Sequence, residues 1–162
     1  MKKAFCLLFI LVLTIVAYSH NIEPKQDIAE ISHLQGLQRK AHFDKDARLL
    51  VSIFSDDFTN ISAGKIQRLS KEESISRFQQ YFDRSTFIEW DNISPPITHI
   101  SQDKSMAYSI VNKRVRLKAK NSDGIEQEET TIFAWLETYE KQNNKWVLTT
   151  ITSTREPIVG AK

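Results

Sequence analysis

Apolar positions along this chain follow two different periods. From Asp27, the residues Ile28, Ile31, Leu34, Leu37 and Ala41 recur at the three-and-four spacing of one helix face, which predicts a first helix. The stretch HFDKD at 42–46 interrupts it. Asp44 or Asp46 can then accept hydrogen bonds from the free N–H groups of a new turn, as an N-cap does, opening a second helical segment over 46–55. That segment presents Leu49, Leu50, Ile53 and Phe54 to a core and carries acids at both ends, with Asp56-Asp57 closing it. FTNI reads as a short strand and Ser62-Ala63-Gly64-Lys65 as a turn. Ser70-Lys71-Glu72-Glu73 is a capping box, and the helix it opens has Ile75, Phe78, Tyr81 and Phe82 on one side.

Beyond Arg84 the period becomes two. TFIEWDNI is a strand ended by Pro95-Pro96, and MAYSIVNKRVRLKA (106–119) is a long one. Asn121-Ser122-Asp123-Gly124 makes a hairpin turn into EETTIFAWLETYEK, and Gln142-Asn143-Asn144 turns that into KWVLTTITSTRE. Tight turns between consecutive strands predict an antiparallel meander of four strands. Helices followed by such a meander make an α+β fold.

The alternation is imperfect. Over 131–140 one face carries Thr131, Phe133, Trp135, Glu137 and Tyr139, and the other Ile132, Ala134, Leu136, Thr138 and Glu140. A sheet with helices on one side and water on the other alternates more cleanly. Both faces are therefore expected to be covered, one by helices and the other by a second subunit, giving a homodimer through the sheet.

The amino-terminal segment stands outside this pattern. Met1-Lys2-Lys3 precedes an apolar run, AFCLLFILVLTIVA, and then Ala17-Tyr18-Ser19 offers small residues at the −3 and −1 positions of a cut. This is a secretory signal peptide over 1–19, and the run is short for an uncleaved anchor. Cleavage removes the only cysteine, Cys6, so the exported chain relies on its core without disulfides. The 22 basic residues lose Lys2 and Lys3, so basic and acidic residues balance at 20 each. With no basic stripe left, nucleic acid is excluded as a partner class, and after cleavage so is the membrane. The expected organisation is signal 1–19, polar leader 20–27, domain 28–156 and tail 157–162. The expected location is the periplasm or the medium of a bacterium. Asn60-Ile61-Ser62 and Asn92-Ile93-Ser94 match the glycosylation pattern and are discounted for that reason.

The order of elements and the segment DARLLVSIFSDDF resemble the nuclear-transport-factor-2-like superfamily, in particular its SnoaL-like and ketosteroid-isomerase-like bacterial members. Those often read D-x-x-x-L-x-x-x-F-x-D-D at the end of their first helical region, which falls here on Asp46, Leu50, Phe54, Asp56 and Asp57. The ending TYEKQNNKWVL looks like the penultimate strand, turn and closing strand of the family. The resemblance spans 28–156. It implies a cystatin-like cone, a strongly curved antiparallel sheet wrapped around helices with an apolar pocket at one end, and frequent dimers through the sheet. It implies no single activity, because the superfamily holds isomerases, cyclases, dehydratases and inert binding or assembly domains.

Candidate chemistry is sparse. An isomerase of the kind the resemblance suggests needs a carboxylate base in an apolar cavity. Asp57 and Glu137 are the candidates, Glu137 because it shares a strand face with Trp135 and Tyr139. The plainer readings are a helix cap for Asp46, a turn for Asp56-Asp57 and a surface acid for Glu137. Trp90, Tyr108, Phe133, Trp135 and Tyr139, with Phe87, could line a ligand pocket, or pack as plain core. Arg114 could present a fork to a ligand carboxylate, or pair with Arg116 against acids such as Glu129 or Glu137 across the hairpin. His20, His33, His42 and His99 lack metal-ligand spacing, so no metal is expected. Several members of the resembled family carry cavity-facing histidines on the last strand. Here those positions read Thr150 and Thr152. No Gly-rich phosphate loop or nucleophile elbow is present, and no cofactor is expected. The leading expectation is an exported domain that binds a small apolar or amphipathic molecule. A cofactor-independent isomerase or lyase and a non-catalytic assembly module are the alternatives.

Overall fold

The computed structural model of the chain describes residues 25–120 and 124–156. The segments assigned to signal, leader start and tail, and most of the hairpin turn at 121–124, lie outside the described residues. Helix α1 spans 25–44. It buries Ile31 and Ala41 and half-buries Leu34 and Leu37, whereas Ile28 stays exposed. At Lys45 the backbone takes a φ of 56° and turns the chain. Asp46 then caps α2 (Ala47–Ser52) by accepting from the Leu49 N–H at 2.9 Å. Of the two candidate caps Asp46 is the one used, and Asp44 pairs instead with Lys40 one turn back.

Helix α2 ends earlier than its pattern predicts. Phe54 already belongs to β1 (Phe54–Ser62), where its ring stacks on Phe58 at 3.9 Å between centroids. Asp56 and Asp57 are therefore strand residues rather than a helix terminus. The hairpin at Ala63-Gly64 leads into β2 (Lys65–Arg68), and both turn residues adopt positive φ. The capping box forms as expected: Ser70 accepts from the Glu73 N–H and the Glu73 carboxylate accepts from the Ser70 N–H, opening α3 (Lys71–Arg84).

The remaining strands are β3 (Ser85–Asn92), β4 (Ile97–Ile100), β5 (Met106–Lys120), β6 (Glu126–Gln142) and β7 (Lys145–Arg155). The sheet order is β2-β1-β7-β6-β5-β3, with β4 also on β5. The expected four-strand antiparallel meander needs correction in two respects. Strands β2 and β4 join it, and β1 pairs parallel with β7, with Asn60 beside Ile151. Strands β2 and β4 are four residues each, too short to show a period, whereas the β1–β7 pairing joins segments distant in sequence. One edge of β5 is shared: β4 pairs over Ala107–Ile110 and β3 over Lys113–Ala119. Pro95-Pro96 lies between those two strands, where a residue without an N–H breaks the ladder. Register shifts at Phe54/Thr59, Phe87/Glu89 and Thr138/Tyr139 bend the sheet, which is curved and unclosed.

Strand β5 fixes the two faces. Ala107, Ser109, Val111, Lys113, Val115 and Leu117 are buried, and the residues between them are exposed. The inner face receives Ile31 of α1, Leu50 of α2 and Phe82 of α3, together with Trp90, Tyr139 and Leu148, in one continuous core. The outer face carries an apolar row along paired positions, with Ile97, Ile110 and Leu136 each between 41% and 56% exposed.

Candidate functional site

Register places Phe133, Trp135, Glu137 and Tyr139 on the inner face of β6, opposite Lys113, Val111, Ser109 and Ala107 of β5. The outer face of the same strand carries Leu136 and Thr138. A cavity of about 490 Å³ opens between α1 and the sheet. Gln35 and Arg39 of α1 form one wall, and Trp90, Asp91, Thr98 and Lys113 form the other. That volume is in the range of small-ligand pockets.

Lys113 is the unusual member. It is 6% exposed, and its ammonium lies 3.5 Å from the centroid of the Trp90 ring and 5.6 Å from that of Trp135. Trp90 and Trp135 themselves touch at 5.5 Å. No hydrogen bond or ion pair holds the amine among the described residues. Burial lowers its pKa from 10.5 to about 8, against the opposing fields of Glu137 and Asp91 and with a smaller push from Arg39. At the cavity wall Arg39 is engaged by Asp91 at 2.8 Å.

Glu137 lies deeper. It is 1% exposed, and its two oxygens accept from Gln35 at 2.9 Å, Gln38 at 3.2 Å and the Tyr139 hydroxyl at 2.7 Å. All three donors are neutral. Gln35 stands between the carboxylate and the open cavity, since it lines the cavity and bonds Glu137 at once. Burial, then the charge and hydrogen bond of Glu137, hold the Tyr139 phenol well above its ordinary range.

His42 closes the other side of Trp90. Its ring stacks on the indole at 4.4 Å and meets Phe82 and Phe87 edge-on at 5.1 Å each. Nδ1 lies 2.7 Å from the Gln38 carbonyl, an acceptor only, so Nδ1 carries the proton. Burial pulls the imidazole down to about 4, the Gln38 carbonyl opposes this, and Lys113 adds to it.

The expected site residues thus separate. Trp90 lines the cavity, Trp135 backs it, and Glu137 with Tyr139 lies beneath it. Phe133 lines a second cavity of about 380 Å³ with Tyr81, Val115 and Arg155. Three residues lie elsewhere than the sequence pattern predicts. Asp57 is exposed on β1 and accepts from the Ser55 hydroxyl at 2.7 Å, away from both cavities. Tyr108 lies on the outer face, where it stacks on His99 at 4.9 Å. Arg114 is also on the outer face, 3.6 Å from Glu89, while Arg116 reaches Glu89 and Glu128. The physical reason is parity: Tyr108 and Arg114 are even positions on a strand whose odd positions face in. Thr150 and Thr152 likewise pair with Thr138 and Leu136 on the outer face, so Ile151 and Ser153 are the inward positions of β7. Lys113, Gln35 and Gln38 were missed. The signal for Lys113 was its place in the apolar register Val111, Lys113, Val115. Among the described residues no group of three or more His, Cys, Asp or Glu gathers to hold a metal, and no helix is long and apolar enough to cross a membrane.

No protein-family model and no curated protein sequence matches the chain. Solved structures do match its fold. A ketosteroid isomerase-like protein from Erwinia carotovora atroseptica superposes with a TM-score of 0.63 at 14% identity, covering 80% of this chain and 96% of that one. An NTF2-like protein from Cytophaga hutchinsonii gives 0.61 at 17% identity, over 78% and 95%. A protein with a cystatin-like fold from Caulobacter vibrioides gives 0.64 at 12% identity, over 82% and 92%.

Proposed function

We propose that this chain, whose fold is the NTF2-like, cystatin-like α+β cone, binds a small and largely apolar molecule bearing one polar group in the cavity between α1 and the inner sheet face. The observation that carries the reading is an open cavity of about 490 Å³ that combines the Trp90 ring with a buried amine bonded to no other described group. A filled cone would leave no space for that amine to face. Trp90 and Trp135 lie at the site, so intrinsic fluorescence reports on it. Titration with a panel of bicyclic aromatic and alicyclic alcohols should quench or shift the emission saturably, and native mass spectrometry of the purified chain should show a one-to-one complex. No saturable change with any compound, together with a ligand-free spectrum, would reject the reading.

A second reading, an isomerase or lyase with Glu137 as base, is favoured by the contact of Glu137 with Tyr139 in a dry environment. Catalysis would require Gln35 to swing aside, since it stands between the carboxylate and the cavity. Turnover lost in Glu137→Gln with ligand affinity retained would support it.

The reading also includes export and self-association. Export rests on Lys2, Lys3 and the apolar run after them, outside the described residues. Dimerisation through the sheet is supported by the exposed row Ile97, Ile110 and Leu136. Light scattering on the mature chain should give twice the monomer mass, and Ile110→Glu should halve it with the circular dichroism unchanged. A clean monomer at micromolar concentration rejects the dimer.

A further inference from the structure

Among the described residues no side-chain nitrogen or oxygen closed off from solvent lacks a hydrogen-bond partner, so the amine of Lys113, which bonds none, opens on the cavity space. A lysine this buried ordinarily bonds a carboxylate or several carbonyls, because each N–H stripped of water without an acceptor costs free energy. Here the ring of Trp90 is the nearest partner and the cavity lies beyond it. Glu137, the nearest fully buried acid, spends its oxygens on Gln35, Gln38 and Tyr139.

The charges around the cavity select the class of ligand group. Arg39 and Asp91 cancel at the wall, and Lys113 and Glu137 balance deeper in. An anionic headgroup would leave one negative charge unbalanced in a region of low dielectric. A neutral acceptor leaves the balance untouched. A carbonyl is such an acceptor, and it also reacts with a primary amine that an apolar site has stripped of water.

We propose that Lys113 condenses with the carbonyl of a small aromatic or alicyclic aldehyde or ketone to form an iminium in the cavity. The step balances without an oxidant, a reductant or a net proton. A proton leaves the ammonium, the nitrogen lone pair attacks the carbonyl carbon and a C–N bond forms. The carbon–oxygen bond then breaks, and the oxygen departs as water with two of the three ammonium hydrogens. The nitrogen keeps the third, and the site's charge is the same before and after. The Trp90 face that holds the ammonium holds the iminium cation equally. The depressed basicity of Lys113 leaves roughly a tenth of the amine free at neutral pH, about three-hundredfold more than an ordinary surface lysine.

This rests on the binding reading above, and the test separates the two. The purified chain is incubated with 2-naphthaldehyde and sodium cyanoborohydride, which reduces the iminium to a stable amine, and labelled peptides are mapped by mass spectrometry. The expected result is one naphthylmethyl group on Lys113, formed at least about tenfold faster than on any other lysine. The labelling rate should rise as pH climbs through 8. The groups facing the amine are Glu137 of β6, Asp91 of β3, and Arg39 and His42 of α1, and His42, held near 4, stays neutral across that range. Lys113→Met should lose the adduct, and the unaltered chain should bind 2-naphthalenemethanol, the same skeleton without a carbonyl. Labelling spread evenly over surface lysines, no label on Lys113, or an adduct surviving in Lys113→Met each overturns the proposal. If 2-naphthalenemethanol quenches tryptophan emission while the aldehyde leaves no adduct, condensation fails and binding stands. If neither compound binds, both fail.

Discussion

Lys113 and Arg114 are neighbours in sequence and opposites in circumstance. Arg114 lies on the outer face, half exposed, with Glu89 3.6 Å away in solvent. Lys113 lies on the inner face, 6% exposed, over an indole ring and beside a cavity. One residue of strand register turns a routine surface cation into a costly buried one. Surface ion pairs contribute little to stability, so nothing about Arg114 calls for a function. Lys113 turns its amine to the cavity, and the inner face is where a partly desolvated cation can serve a ligand.

The largest effect should come from removing the charge that balances Lys113. Glu137→Ala leaves Gln35, Gln38 and Tyr139 without their common acceptor and Lys113 without a buried counter-charge. Its cost should be about 3–5 kcal/mol in urea unfolding. A cost under about 1 kcal/mol would mean that water reaches the site and that the inner face is no different from the outer.

Next comes acid. His42 is held near 4 when folded and returns to its ordinary 6.5 when unfolded. Between those values the unfolded chain binds the extra proton, so this stability is complete above about pH 6.5 and is lost as pH falls toward 4. The full difference is about 3 kcal/mol. The His42→Gln variant should show a flatter unfolding profile over that window.

Lys113→Met should act in the opposite direction. The folded-state basicity of Lys113 is lowered, so its penalty is fully present below about pH 8 and fades as pH rises toward 10.5. Near neutrality the methionine variant should be more stable by about 1–3 kcal/mol, since the folded state disfavours the charged amine even with the field of Glu137 on it. The gain should shrink above pH 9. The smallest effect is Arg114→Ala, within about 0.5 kcal/mol of the parent by the same unfolding assay.

Much of this contrast was legible in the sequence, and its failures are instructive. The Ser70–Glu73 capping box, the Gly64 turn and the shared face of Phe133, Trp135, Glu137 and Tyr139 depend on residues near one another, and each forms as its pattern predicts. The parallel pairing of β1 with β7 leaves no local trace, because its partners are some ninety residues apart. Strands β2 and β4 are four residues each, too short to show a period. The site was half visible. Glu137 stood out as an acid among aromatics, whereas Tyr108 and Arg114 were misplaced because their parity was not tied to that of 131–140. The hairpin register sets Tyr108 against Thr138 and Arg114 against Ile132, both outer residues. Asp57 looked chemical as a member of an acidic pair, yet Asp56 forms an exposed pair with Lys71 at 2.7 Å and Asp57 faces solvent beside it.

The account stands on Lys113 being a desolvated amine at the cavity wall. Proton-detected NMR of the labelled lysine side chain, followed against pH and assigned with Lys113→Met, measures this directly. The expected result is a midpoint near 8 for Lys113. A midpoint at the ordinary 10.5 would place the amine in water and contradict the account.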